Sequence, residues 1–180
     1  MRHLRILAMA GAFLCGCQAP TVQPSPSAVA STAQVYEQPG WFTHFADDGS
    51  FSLSFPKAPE KVGQDPKSQM LACPLDKQGS NLSLIQMTLP DGLSAQSLSK
   101  EPQKFFGQAV ELVSVKETKV EGREALSVEM LAGPNRVWVT MIFARPYLYQ
   151  LVALQSPTSP QDYASERQSF FASFHFTQTR

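Results

Sequence analysis

Cysteine is nearly missing from this chain: among 180 residues only positions 15, 17 and 73 carry it. A disulfide framework is therefore excluded, and any globular body has to hold by packing alone. A basic surplus is missing as well. Lys plus Arg number 15 against 15 Asp plus Glu, and removing residues 1–16 takes away Arg2 and Arg5 and leaves a small acidic excess. Nothing in that balance neutralises a polyphosphate backbone, which argues against nucleic acid as a partner. No glycine cluster lies between a strand-like and a helix-like stretch, so there is no phosphate-cradling loop. No Gly-x-Ser-x-Gly elbow occurs, and beyond residue 16 the histidines are His44 and His175. No long apolar run is present either: Ile6 to Leu14 is uncharged and apolar, too short to span a bilayer but the length of a signal-peptide core.

What is present begins with that segment. Arg2 and Arg5 precede the apolar run without an acid, the charge pattern of an export signal. It ends in Leu14-Cys15-Gly16-Cys17, which resembles the lipobox of bacterial lipoproteins. In that family a peptidase cuts before the cysteine once its sulfur carries diacylglycerol. The resemblance makes Cys17 the lipidation site, with Leu14 as the large apolar residue and Gly16 the small one at the cut. Cys15 is not the acceptor, because bulky Leu14 would then precede the cut. Each buried methylene contributes about 0.8 kcal/mol, so two or three acyl chains would hold the protein on a bilayer without a spanning segment. Gln18 replaces the Asp that favours inner-membrane retention in well-studied double-membrane bacteria, which points to the outer membrane, facing the periplasm.

Residues 17–40 are expected to be the lipidated cysteine and a linker. Between Gln18 and Pro39 the chain has Pro20, Pro24, Pro26 and Pro39 among Ser, Thr, Ala, Gln and Val, with Glu37 as its only charge. Such a segment spans roughly 25 Å when flexible and at most about 75 Å when stretched. Residues 41–180 are then one domain, large enough for a single core and too small for two.

In that domain Phe51-Ser52-Leu53-Ser54-Phe55 alternates strictly, as a strand with one apolar face does. Asp47-Asp48-Gly49 precedes it as a hairpin-type turn, with Trp41 to Phe45 as its partner strand, and Pro56 ends it. Further strands are expected over 68–75, 82–89, 112–120, 125–131, 136–144 and 147–154. The last two are apolar on both faces and belong in the middle of the sheet. Their connections, Gly133-Pro134-Asn135 and Arg145-Pro146, are too short for crossovers and imply an antiparallel meander. Ser99 is expected to cap a helix that has Pro102 in its first turn and Phe105, Phe106 and Ala109 on the sheet. Ser159-Pro160 is expected to open a second helix, with Tyr163, Arg167, Phe170, Phe171 and Phe174 at core-facing spacings.

The order of these elements carries a second resemblance. The strand ending in Phe55-Pro56, the turn and strand at Gly122-Arg123-Glu124-Ala125, the Tyr147-Leu148-Tyr149-Gln150-Leu151 strand and the closing Phe170-Phe171-Ala172-Ser173-Phe174 look like the PsbP-like group. The resemblance implies an α+β fold, a single domain with an antiparallel sheet and helices packed on its faces. It implies no catalytic apparatus and no cofactor, and it suggests docking to a larger assembly.

Candidate chemistry is sparse. Cys73 in Ala72-Cys73-Pro74 reads as a buried small hydrophobe, and as a nucleophile only if His44 or His175 comes beside it. His44, Asp47 and Asp48 are close in sequence, yet the turn explains the two acids and a calcium loop needs more carboxylates. Arg123-Glu124 reads as a surface charge pair. The expectation is thus no catalytic residues, no metal and no cofactor, in a non-catalytic binding or scaffold module. The bilayer, through acylated Cys17, and another envelope protein are its expected partners. The alternative is an envelope hydrolase or thiol enzyme with dispersed catalytic residues, and convergence of His44, His175 and Cys73 in one pocket would favour it.

Overall fold

The structure, a computed structural model, describes residues 40–62 and 68–177. The expected signal segment 1–16, Cys17 and the linker as far as residue 39 lie outside the described residues. The described residues hold ten strands and three helices: β1 (Phe42–Phe45), β2 (Phe51–Phe55), β3 (Glu60–Val62), β4 (Ser68–Pro74), β5 (Asn81–Thr88), α1 (Ala95–Lys100), α2 (Pro102–Phe106), β6 (Val110–Val120), β7 (Arg123–Ala132), β8 (Asn135–Ala144), β9 (Tyr147–Gln155), α3 (Ala164–Ala172) and β10 (His175–Phe176). All strand pairings are antiparallel, in a seven-stranded sheet of order β3-β4-β5-β9-β8-β7-β6 and a three-stranded one of order β1-β2-β10. The fold is α+β, as expected, with the meander running from β6 to β9.

Strands β8 and β9 sit inside the large sheet because both of their faces are apolar, and the two faces feed two separate cores. On one face Ile142, Tyr149 and Leu151 meet Phe51, Leu53 and Phe55 of β2 and Phe170 and Phe174 from the C-terminal region. On the other, Val137, Val139, Met141 and Leu148 meet Leu89 and the α1 residues Ala95 and Leu98. The three-stranded sheet and α3 thus cover one side and the α1–α2 connection the other. That connection carries the chain from β5 across a face to the far edge at β6, which a hairpin cannot do.

The turn between β6 and β7 is Glu121-Gly122, with φ of 48° and 80°. Two successive positive values suit a two-residue hairpin of right-handed twist, and glycine adopts the second without cost. Glu121 pays for its conformation with contacts: its carboxylate accepts a hydrogen bond from the Phe176 backbone N–H and pairs with His175 Nδ1, each at 2.8 Å. The closing strand is thereby fastened to the turn.

Helix starts differ from the expectation. Ser99 lies inside α1, whose cap is Ser94: its hydroxyl accepts from the Ser97 N–H while the Ser97 hydroxyl accepts from the Ser94 N–H. Pro102 does open α2, but that helix ends at Gly107 (φ 83°), so Ala109 is exposed in a turn. Phe106 packs on the sheet and Phe105 points outward. Ser159-Pro160 does not open α3. The Ser159 hydroxyl donates to the Asp76 carboxylate, and the Gln155 side chain donates to the Gln161 carbonyl and accepts from the Tyr163 N–H. These tertiary bonds hold 159–163 out of the helix, which starts at Ala164.

Candidate functional site

The two histidines that a nucleophilic site would draw on face apart. His44 pairs with Leu53 and His175 with Ser52, adjacent residues of β2, so the two imidazoles project to opposite faces of the small sheet. Cys73 is fully buried in the first core, its Sγ donating to the Lys57 carbonyl at 3.7 Å. Burial pushes its thiol pKa up, more than the bond to Lys57 lowers it, so the thiolate is disfavoured. His175 is engaged by Glu121. Burial, and then Lys61, lower the His44 pKa, with Asp47 opposing. Asp47 pairs with Lys61 at 3.2 Å, and Asp48 accepts the Ser50 N–H within the turn. Among the described residues no three His, Cys, Asp or Glu side chains gather to hold a metal. Arg123 and Glu124 are not a pair: neighbours on a strand face opposite ways, and Arg123 lies over the Phe176 ring, 4.1 Å from its centroid.

A different place is open. On the face of the large sheet that bears the first core, the cover ends before the sheet does. Along β7, Ala125 is fully buried, yet Ser127 two residues on, with paired strands on both sides, is exposed. Register places Lys116 and Thr118 of β6 and Thr140 of β8 on the same face, with Trp138 one step further along. Helix α3 forms the wall, through Arg167, Gln168 and Phe171, around a groove of about 440 Å³.

The groove has a definite electrical character. Among the described residues its lining includes two cations, Lys116 and Arg167, three hydroxyls, one amide and two aromatics, and no carboxylate. Arg167 stacks over Trp138 at 3.7 Å from the ring centroid. Stacking uses the flat face of the guanidinium and leaves its in-plane N–H groups directed outward. Asp162 touches them only at 4.0 Å and is largely exposed. Glu129, beside Trp138 on the same face, is paired with Arg136. Phe171, expected in the core, is half-buried in the groove wall, while Phe170 and Phe174 are buried. This site is not among the sequence-based expectations, in which Arg167 is a spacing residue of a core helix. The signal was there in Lys116, Thr118, Ser127 and Thr140, polar at positions where neighbouring strands alternate towards an apolar core.

No family model and no curated protein matches the sequence. Solved structures do match. Cyanobacterial PsbP (CyanoP) from Synechocystis sp. PCC 6803 superposes with a TM-score of 0.58 at 15% identity, over 78% of this chain and 95% of that one. A Pseudomonas aeruginosa protein of unknown function, PA94, described as a putative regulator, gives 0.46 at 13% identity over 73% and 92%. A Bacteroides thetaiotaomicron protein gives 0.41 at 10% identity over 74% and 47%. The globular domain has a PsbP-like fold.

Proposed function

We propose that this protein is a non-catalytic binding module of the cell envelope, held by lipid on Cys17, on the outer membrane facing the periplasm, and presenting the groove beside α3 to another envelope protein. The observation that carries the reading is the exposed Ser127 inside a seven-stranded sheet, two residues along β7 from the fully buried Ala125. A sheet face of this kind, polar and cationic where it could have been apolar and covered, is available for recognition. Supporting it, Cys73 is buried and His44 and His175 project to opposite faces, so the thiol-enzyme alternative lacks its constellation. The lipobox-like segment and the linker supply the tether.

The test places a photo-crosslinking amino acid at Gln168, exposed on the groove wall, in the membrane-bound protein. A discrete crosslinked partner is expected from Gln168 and not from a probe at Lys57. Cys17→Ala should shift the protein out of the membrane fraction and remove fatty-acid label. A labelled, membrane-bound Cys17→Ala protein, or equal crosslinking from both probes, would refute the reading.

A further inference from the structure

The groove's chemistry names what it would hold. Resting on its reading as the binding surface, we infer that the groove takes a short acidic segment of the partner protein, two carboxylates of which meet Arg167 and Lys116. Arg167 is the stronger anchor. Its fork matches a carboxylate in two parallel hydrogen bonds, and its side chain is 21% exposed, already ordered by the stack on Trp138. Lys116, on the exposed edge strand, supplies a second positive charge across the floor. The hydroxyls of Thr118, Ser127 and Thr140 between them donate to or accept from a peptide backbone equally well.

Shape decides the size of the ligand. A small molecule is usually held in a site that buries most of its surface. Here Lys116, Thr118, Ser127 and Gln168 are all exposed, so a free dicarboxylate would remain largely hydrated and weakly held. An extended segment can lie along the floor and continue past β6, which among the described residues pairs with β7 alone and stands at the edge of the sheet. A bilayer surface, the other large anion in this compartment, is flat and does not enter a groove between a helix and a sheet.

The test uses the mature chain and the peptide acetyl-Glu-Gly-Glu-amide, with acetyl-Gln-Gly-Gln-amide, glutarate and phosphatidylglycerol vesicles as comparisons at fixed ionic strength. The reporter is the indole N–H resonance of Trp138, with Trp41 as internal control. A saturable shift of Trp138 is expected with the Glu peptide and not the Gln peptide, weakened about tenfold by Lys116→Gln and by Arg167→Gln, the loss of one charged hydrogen bond. Lys116 is exposed, so its variant retains the fold even if Arg167→Gln disturbs the stack. Absence of saturation to millimolar peptide, unaltered binding by Lys116→Gln, glutarate binding as tightly as the peptide, or preference for vesicles would each overturn the inference. If the Gln168 probe still traps a partner in that case, the acidic segment falls and the binding module stands. Loss of the crosslink as well removes both.

Discussion

Two phenylalanines side by side in α3 have opposite duties. Phe170 is completely buried and packs against the Phe55 ring at 5.3 Å between centroids, whereas Phe171, about 100° further round the helix, is half-buried against the groove. Phe170→Ala should cost about 3–5 kcal/mol, the range for emptying a buried aromatic site, and Phe171→Ala clearly less. Urea unfolding of the two variants measures the difference, and equal losses would mean that the groove wall is as tightly packed as the core. His44 adds a pH dependence. Its folded pKa lies below the ordinary 6.5, chiefly through burial, so between the folded value and 6.5 the unfolded chain binds more protons. The stability contributed by neutral His44 is complete above pH 6.5 and is lost as pH falls through the folded value. Melting temperatures at pH 7.5 and 5 should converge in His44→Gln relative to the parent. A slope unchanged by the substitution would assign it to other groups.

At the scale of elements, short helices depend on their ends. Helix α1 has six residues, too few to persist by propensity, and is fixed by the reciprocal Ser94–Ser97 cap and by Ala95 and Leu98 in the second core. Ser94→Ala should destabilise the protein by about 0.5–2 kcal/mol, read by urea unfolding. Amide exchange at Leu98, whose N–H bonds to the Ser94 carbonyl, should quicken with it. Unchanged exchange would show that packing alone defines the helix start. The serine at the third helical position explains why this cap is weakly legible in sequence, where glutamate or glutamine marks the usual box. At Ser159-Pro160 the local pattern was strong and still lost, because Asp76 and Gln155 compete for the same polar groups. Strand β3 had no legible pattern: its three residues, Glu60–Val62, are exposed and join the sheet through β4.

For the whole molecule, the described residues build both cores and both sheets from residues 41–176. The sequence of residues 18–39 has no periodic apolar pattern, and a composition of that kind does not supply the apolar surface needed to offset ordering entropy. A chain beginning at Gln38 should therefore match the melting temperature and the denaturant slope of the full mature chain. A large drop would show the linker packing on the domain.

The sequence by itself determined most of the strands and the class of fold, because a period of two, a double-faced apolar pair such as β8 and β9, and short turns are local properties that leave few antiparallel arrangements. It also located Cys73 in the core, as a small apolar residue on a strand. The groove was decided by tertiary structure. Whether a polar residue such as Ser127 faces solvent or a covering layer depends on where α3 and the small sheet stop, and that boundary is set by bonds between residues far apart, among them Ser159 with Asp76 and Ser54 with Ser173. Arg167 and Trp138 are 29 positions apart in the chain and meet only once α3 has docked, so their joint chemistry has no signature along the sequence.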